Sequence, residues 1–538
     1  MAWEVPRYLE PLPPVLGASL TVSAQKPLFS TETGYDLSFE LSELNQRTLS
    51  WQAQARATGG SAPEGLENCR PVGSYVIYRE GTSFPDEADV AALNTFQNKM
   101  RSQTINPTFR FLSQIPSSRI PIASAGDLAE FGRREIQELA SRIKIRFSEF
   151  FPTPDIDLSK FSFQSTNGSS SIESAVAFAR GLVGLNQICE TLSMEGNVTV
   201  ACSENSRFTR YVTPTSAFIS NDPADMDSLL RPYDTPSRKI CLDVANKGRT
   251  DQEVMRFKMS GDARQLRDRI AQKMSMPGSR QLFNISGDEV QLLAKICGYH
   301  LAMFNDNNTW CRLFDYEDLN VAEYQRELGH YWNESYGLPI NSMVACPLIN
   351  DTLEYFDRLA ARGAGAGASL PLMKFKFTDE NTLIRLVSLL GIAKDPRQLG
   401  FGNYAQSRNR QFRTAKMAPF GGNLALNLFR CESPQVLFFN DQTFRVQVLL
   451  NERPINITFC QDAFCDLEDF KRELMAQAGQ CQVQEACNVA FGLNPDGTRP
   501  GNRGGGGGRG DASGITPSRL LIALTAMMAM AKRSIHGL

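Results

Sequence analysis

The chain has 538 residues, more than one compact core usually holds, so two domains or one domain with a large insertion are expected. Its 56 basic and 58 acidic residues leave a formal net charge of −2, which excludes the broad basic surface typical of a nucleic-acid-binding protein. Partners must therefore be inferred from local features.

Cysteines and glycosylation sequons indicate the compartment. The twelve cysteines are dispersed and form no C-x-x-C pair of the kind that binds zinc, so we predict no metal site and no cofactor. Together with the sequons they favour an oxidising, glycosylating compartment over a cytosolic protein with buried thiols. The sequons begin at Asn167, Asn197, Asn284, Asn307, Asn333, Asn350 and Asn456.

The amino-terminal part gives no clear fold signal. Residues 1–65 carry turn-forming residues and little periodicity, which predicts an irregular lead-in. The first twenty residues include Glu4, Glu10 and four prolines where a signal peptide has a basic segment and an apolar core. Either the start is incomplete or export is unconventional, and we expect the former.

Residues 75–96 read as a strand, a tight turn and a helix. Val76 and Ile77 are β-formers, Gly81 permits the turn, and residues 89–96 have a helical pattern. A strand that feeds a helix N-terminus collects backbone N–H groups suited to an anion. The charges argue instead for a surface turn before an acidic-capped helix, because Arg79 is the one cation of this stretch. Its acidic residues are Glu80, Asp86, Glu87 and Asp89.

Strand and helix patterns alternate along the rest of the folded chain, which predicts an α/β fold. The core is assigned to residues 66–182 and 346–490, and residues 183–345 to a mainly helical cap insertion. Ligands of such sheets bind where strands give way to helices, here after Tyr78, Gln164 and Phe377. Helices are predicted over 128–147, from residue 173 onward, and over 381–393. Strands are predicted over 161–166 and 373–378, a hairpin is predicted between 436–440 and 444–452, and a solvent loop over 363–369.

The carboxyl-terminal part predicts a linker and a tail. Residues 491–518 are too glycine-rich to pack, and residues 519–538 form an apolar tail. Its apolar run over 520–531 is too short to span about 30 Å as a helix. Small residues, a polar spacer and this run outline a glycolipid-anchor signal, but Lys532 and Arg533 depart from such a signal, so a frayed amphipathic end is an equal alternative.

Five segments, in one order between about Cys69 and Cys487, carry a family resemblance: SAVAFARGL, YQRELGHYWNESYGLPIN, CPLINDTLEYFD, SLLGIAKD and FRVQVLLNE. The chain resembles the multiple inositol polyphosphate phosphatases, the phytase-like branch of the histidine acid phosphatases. This implies a histidine-phosphatase-like sheet core with helices on both faces and an inserted helical cap. It also implies a disulfide between Cys69 and Cys431, while Cys481 with Cys487 is a short local possibility.

The residues that correspond to the family's catalytic signatures are altered. In the signature R-H-G-x-R-x-P the histidine is phosphorylated and both arginines hold phosphate. Here Arg79 is kept, Glu80 takes the place of the histidine, and Ser83 that of the second arginine. Ser170 takes the place of a further phosphate-binding arginine. The H-A-E signature, a histidine and a proton-donating glutamate, corresponds to Asp379, Glu380 and Asn381, so Glu380 is the only possible donor.

These replacements predict that phosphoryl transfer fails, because it needs an in-line nucleophile, cations around the phosphate and a proton donor. Of the cations only Arg79 is expected, and a carboxylate about 4 Å from a phosphate charge is repelled by roughly 4 kcal/mol at an effective dielectric constant near 20. His300 and His330 are expected in structural or surface positions and His536 in the tail, so none is a replacement nucleophile.

The leading hypothesis is a catalytically inactive, secreted or surface-attached pseudophosphatase whose acidified pocket has been abandoned, or has been reused for a cation such as calcium or a basic partner. In a plainer alternative Glu80 pairs with Arg79 or a nearby lysine and binds nothing. Two other classes are an active hydrolase of inositol polyphosphates and an extracellular adhesion or structural protein that displays Arg509-Gly510-Asp511. We expect no nucleic-acid partner and membrane contact only through a lipid anchor.

Overall fold

The computed structural model describes residues 28–38, 69–116, 119–152, 156–184, 187–194, 197–204, 215–220, 228–361, 370–432, 442–460 and 464–498. Most of the predicted lead-in, the glycine-rich linker beyond residue 498 and the apolar tail lie outside these residues. The tripeptide 509–511, the loop predicted over 363–369 and the strand predicted over 436–440 also lie outside them.

The described strands form one mixed sheet of ten strands. In chain order they are β1 Cys69–Arg79, β2 Phe161–Ser165, β3 Gln187–Met194, β4 Asn197–Glu204, β5 Thr215–Ser220, β6 Met373–Thr378, β7 Asn423–Glu432, β8 Gln442–Leu450, β9 Arg453–Pro454 and β10 Phe464–Asp466. Across the sheet the order is β10, β8, β7, β1, β6, β2, β5, β4, β3, with β9 beside β8. The four central strands β1, β6, β2 and β5 are parallel, and the remaining pairs are antiparallel.

The α-helices of the described chain are mostly connections between strands or parts of the insertion. In chain order they are α1 Glu87–Ser102, α2 Glu130–Arg146, α3 Ser169–Val183, α4 Pro236–Asn246, α5 Arg249–Lys258, α6 Gly261–Met274, α7 Gly287–Phe304, α8 Tyr316–Glu334, α9 Pro339–Met343, α10 Cys346–Ala360, α11 Glu380–Leu389, α12 Thr414–Met417, α13 Leu467–Gln477 and α14 Val483–Ala490.

The central strands are buried on both faces, which explains why they read as continuous apolar runs. Side chains alternate along β1, so Tyr75 and Ile77 join a core on one face with residues of α1, α7, α8, α10 and α11. Val76 and Tyr78 join a second core on the other face with residues of α2 and α3. The predicted α/β sheet with helices on both faces is confirmed.

The sheet differs from the sequence prediction in two places. The insertion predicted as mainly helical, residues 183–345, also contains the strands β3, β4 and β5, which extend the sheet. Their β-branched residues alternate with polar ones, as in Val198 and Val200 of β4, which favours a strand. The hairpin partner predicted for the strand over 444–452, residues 436–440, lies outside the described residues, and β8 pairs with β7.

Five disulfides join cysteines of the described chain, in agreement with an oxidising compartment. The bonds are Cys69–Cys431, Cys241–Cys487, Cys297–Cys311, Cys346–Cys481 and Cys460–Cys465. The first pairing is confirmed. The local pairing of Cys481 with Cys487 is wrong, because α14 begins between them and packs Cys487 toward α4.

Two further observations bear on localisation. None of the described helices is long and apolar enough to cross a lipid bilayer. The asparagine of each predicted sequon is exposed except Asn197, whose side chain is outside the description. Asn333 is exposed but also accepts hydrogen bonds from the Asn246 amide at 2.8 Å and the Thr250 hydroxyl at 2.7 Å.

Candidate functional site

The three predicted strand-to-helix junctions meet at one edge of the sheet. In the register of the parallel strands, Arg79 of β1 lies opposite Thr378 of β6, and Ser165 of β2 opposite Phe377. Beyond the strand ends, the Glu80 N–H donates to the Thr378 carbonyl at 3.1 Å. Glu80 and Asp379 therefore lie next to each other at the carboxyl edge of the sheet.

The turn after β1 packs closely against α2. A Cβ on Gly81 would lie 2.7 Å from the Gly132 carbonyl oxygen, so only glycine fits there. The Gly81 N–H donates to the Ser174 hydroxyl at 3.1 Å, and the Thr82 N–H donates to the Glu135 carboxylate at 3.1 Å. The backbone N–H groups that could have held an anion are thus already bonded to side chains of the protein.

Arg79 is buried and its guanidinium is directed at protein groups. Nε donates to Glu80 Oε1 at 3.2 Å, and Nη1 donates to the carbonyls of Thr31 and, at 2.9 Å, Ala418. Nη2 lies 3.7 Å from Glu380 Oε2, and the ring of Phe420 lies under the guanidinium. The ion pair with Glu80 foreseen in the plainer hypothesis is present.

Glu80 is nearly inaccessible to solvent. Burial raises the pKa of its carboxyl to about 7, with Arg79 opposing the shift and Glu380 and Asp379 adding to it. Burial lowers the pKa of Arg79, but Glu380 and Glu80 outweigh it, so the guanidinium stays charged. Near neutral pH the Glu80 carboxyl is therefore partly protonated, which weakens it as a nucleophile.

Asp379 has a structural role at the amino end of α11. Its Oδ1 accepts from the Thr382 N–H at 3.0 Å and caps the helix. Its Oδ2 accepts from the Tyr233 hydroxyl at 2.5 Å and lies 3.0 Å from Arg231 Nε. Arg231 and Tyr233 were not predicted as site residues, because they belong to the insertion and match none of the signature residues.

The remaining predicted site residues differ in exposure. Glu380 lies in the first turn of α11. Burial raises the pKa of its carboxyl, but the nearby charge of Arg79 outweighs burial and holds the pKa below its usual value, so the side chain is ionised. Ser83 is buried where its backbone pairs with Leu128, in an isolated bridge. Ser170, in the first turn of α3, and Asn381 are half-buried. None of these residues supplies the cation that the family signature would place there.

A cavity of about 720 Å³ opens beside Glu380. Its walls are one face each of α1, α7 and α8, because lining residues recur every three or four positions along these helices. Six acidic side chains line it against two basic ones, whereas Glu80 and Asp379, where the acidic pocket was expected, do not line it. The acidic ones are Glu32, Asp89, Asp288, Glu289, Glu334 and Glu380, and the basic ones are Lys295 and Arg326.

The two described histidines differ in position. His330 lines the cavity, with Nδ1 3.3 Å from Glu334 Oε2. His300 is buried away from it, and burial lowers the pKa of its imidazole to about 4, with Arg119 adding to this shift. Within the described residues, no three His, Cys, Asp or Glu side chains converge as metal ligands.

Comparison with known protein families supports the fold. The family model described as histidine phosphatase superfamily (branch 2) matches residues 91–451. The chain belongs to this superfamily. The matched segment begins beyond Arg79–Pro85, so the altered turn lies outside it. Membership in the histidine phosphatase superfamily thus rests on residues 91–451. It does not show whether the altered turn is catalytic, which must be inferred from the residues of the site.

Several relatives in the histidine phosphatase superfamily are inositol phosphate enzymes by name. The chain is 25% identical over 500 residues to multiple inositol polyphosphate phosphatase 1 of Homo sapiens, covering 90% of this chain and 92% of that protein. It is 24% identical over 426 residues to the Gallus gallus protein of the same name, with coverages of 78% and 85%.

Solved structures show the same fold. The Bifidobacterium longum multiple inositol polyphosphate phosphatase in complex with phosphate aligns with a TM-score of 0.62 at 14% identity, over 84% of this chain and 98% of that chain. The phytase from D. castellii aligns with a TM-score of 0.53 at 16% identity, over 84% and 88% of the two chains.

Proposed function

We propose that this member of the histidine phosphatase superfamily does not hydrolyse phosphate esters and acts as a binding protein in a secretory or extracellular compartment. The observation that carries the proposal is the buried ion pair of Arg79 with Glu80, in which the remaining guanidinium donors are directed at Thr31, Ala418 and Glu380. The disulfides and the exposed sequons support the compartment. Surface attachment through a glycolipid anchor over 519–538 belongs to the same proposal.

The charges at the sheet edge oppose a bound phosphate. An incoming phosphate would meet the ionised carboxylate of Glu380, and a carboxylate about 4 Å away repels it by roughly 4 kcal/mol. Arg79 could turn to it only by leaving its present partners, and Arg231 is already paired with Asp379. Loss of an activated nucleophile alone can lower a rate on the order of a millionfold.

The second candidate is an active hydrolase of inositol polyphosphates. It is favoured by the names of the relatives. In that case Glu80 would act as nucleophile, as carboxylates do in some phosphoryl-transfer enzymes. Such carboxylates need strong cationic help, and here the nearest cation is shared between Glu80 and Glu380.

We expect no release of phosphate from inositol hexakisphosphate between about pH 4 and 8, the range in which the candidate acids titrate. The measurement is inorganic phosphate liberated by the wild-type protein and by Glu80→Ala, with Glu173→Ala as a surface control paired with Arg133. Activity that Glu80→Ala abolishes and Glu173→Ala keeps would establish the hydrolase in place of the binding protein.

For the ligand we propose an organic cation, such as the lysine and arginine side chains of a basic partner. The cavity has the volume of a small-molecule or side-chain pocket. Its acidic residues come from several elements, and apolar side chains such as Phe96 and Leu292 lie among them. Calcium fits less well, because the described residues do not gather three metal ligands at one point.

Calorimetric titration is expected to show binding of tetralysine and no binding of inositol hexakisphosphate. Glu334→Gln removes one cavity carboxylate and should weaken tetralysine binding about two- to fivefold, the value of one partly exposed ion pair. Asp251→Asn, an exposed residue of α5 that does not line the cavity, should change nothing. Binding of inositol hexakisphosphate without binding of tetralysine would reverse the assignment of the ligand.

A further inference from the structure

Residues 28–38 run through the interior of the protein beside the cavity. Phe29 packs against Gly298 of α7, where an added Cβ would lie 2.8 Å from the Phe29 Cβ. The Thr33 carbonyl accepts from the Phe420 N–H at 3.0 Å, and the Tyr35 hydroxyl donates to Glu452 at 3.0 Å. This segment, which we call the inner segment, is therefore held by both the insertion and the sheet.

Two consecutive residues of the inner segment contact three cationic side chains. The Thr31 carbonyl accepts from Arg79 Nη1. The Glu32 carboxylate forms an ion pair with Arg326 and lies 3.9 Å from Lys295 Nζ. Glu32 is 5% exposed, so its charge is buried and is placed at the wall of the cavity rather than in solvent.

Arg326 and Lys295 are the two basic residues of the cavity lining. Lys295 is also paired with Asp89 at 2.5 Å, whereas the ion pair of Arg326 is with Glu32. A buried guanidinium needs an anion close by, and its planar set of donors suits the oxygens of a carboxylate or a phosphate. Glu32 supplies these oxygens from within the chain.

We propose that Arg326 and Lys295 form an anion-binding site and that Glu32 is its built-in occupant. The carboxylate of Glu32 stands where an oxyanion of a ligand, such as a phosphate group, would otherwise bind. This inference goes beyond the proposed function, because it assigns the exclusion of anions from the cavity to one residue. Removing the charge of Glu32 converts this end of the cavity into an oxyanion site.

The test is calorimetric titration of Glu32→Gln with inorganic phosphate and with inositol hexakisphosphate. We expect both to bind at least tenfold more tightly than to the wild-type protein, and the gain to vanish in Glu32→Gln/Arg326→Gln. The matched control is Glu289→Gln, which removes one carboxylate from the same cavity lining but from a pair with Lys99. An equal gain in Glu289→Gln would overturn the proposal, because net charge alone would then explain binding.

Thermal unfolding of each variant shows whether it folds. If Glu32→Gln does not fold, Glu32→Ala removes the same charge and leaves more room for a phosphate, and a folded Glu32→Ala protein that gains no phosphate binding overturns the proposal. Binding by Glu32→Gln without phosphate release supports this inference and agrees with the proposed function. Phosphate release by Glu32→Gln would contradict the proposed lack of catalysis and leave the anion site standing.

Discussion

Glu80→Gln is expected to stabilise the protein more at pH 8 than at pH 5. The change that it makes in the free energy of unfolding should be about 2 kcal/mol more favourable at pH 8 than at pH 5. Burial raises the pKa of Glu80 from 4.5 to about 7 in the folded protein, so the folded state holds this proton more tightly than the unfolded state. The resulting stability is fully present below pH 4.5 and is lost as the pH rises through 7. Glutamine cannot ionise, and the variant does not suffer this loss.

The loss of the ion pair with Arg79 offsets part of this gain. Arg79 keeps its hydrogen bonds to the carbonyls of Thr31 and Ala418 and its contact with Glu380, so its charge remains compensated. The measurement is urea denaturation of wild type and Glu80→Gln at both pH values, with Glu173→Gln as the surface control. If Glu80→Gln changes the free energy of unfolding equally at pH 5 and pH 8, the pKa of Glu80 is the same in the folded and unfolded chains, which contradicts the prediction.

Comparison between variants is needed because other groups titrate in the same range. Burial also raises the pKa values of Glu135 and Glu327 to about 7, so the wild-type protein loses further stability as the pH rises. His300 has the opposite dependence: burial lowers its pKa to about 4, so the stability from its neutral form is lost as the pH falls from 6.5 through 4. The difference between Glu80→Gln and wild type cancels these shared contributions.

Local sequence patterns were sufficient for three of the four central parallel strands, β1, β2 and β6. The β-formers before Gly81 and the strand pattern over 373–378 each mark a strand that is followed by a helix. Since parallel strands end at the same edge of a sheet, Glu80 and Asp379 could be predicted to approach each other once both strands were assigned. The alternation of strand and helix patterns predicted this α/β arrangement, and the resemblance implied the same sheet core.

The partners of the site could not be predicted in the same way. Arg79 bonds to the carbonyls of Thr31 and Ala418, and any residue type can supply a carbonyl. Arg231 reaches Asp379 across a sequence separation that no periodicity spans. The inner segment was assigned to an irregular lead-in, because its few residues have no helical or strand period and are held by long-range contacts.

These contacts change the electrostatic picture of the site. From the sequence, Arg79 was the one cation expected at the signature positions, among several acidic residues. The structure places Arg231 beside Asp379 and Arg326 beside Glu32, so each cation near the sheet edge is matched by an acid within the described chain. An anion is therefore excluded both by carboxylates at the old signature positions and by the pairing of the cations that could have held it.

Removing the disulfide Cys69–Cys431 is expected to lower the stability of the protein more than removing the local disulfide Cys460–Cys465. In the chain-entropy model, Cys69→Ala/Cys431→Ala lowers the free energy of unfolding by on the order of 5 kcal/mol, because the bond joins residues 362 apart in sequence. Cys460→Ala/Cys465→Ala opens a bond with a separation of 5 and should lower it by about 2 kcal/mol.

The two double variants form a matched comparison by urea denaturation, since each removes one disulfide from the same sheet. Cys69 and Cys431 lie opposite each other in β1 and β7, at the end of β1 remote from Glu80. The site should therefore stay intact, and tetralysine should bind the Cys69→Ala/Cys431→Ala variant as it binds wild type under conditions where the variant is folded. Equal losses of stability for the two pairs would show that the entropy of the unfolded chain does not set the contribution of these bonds.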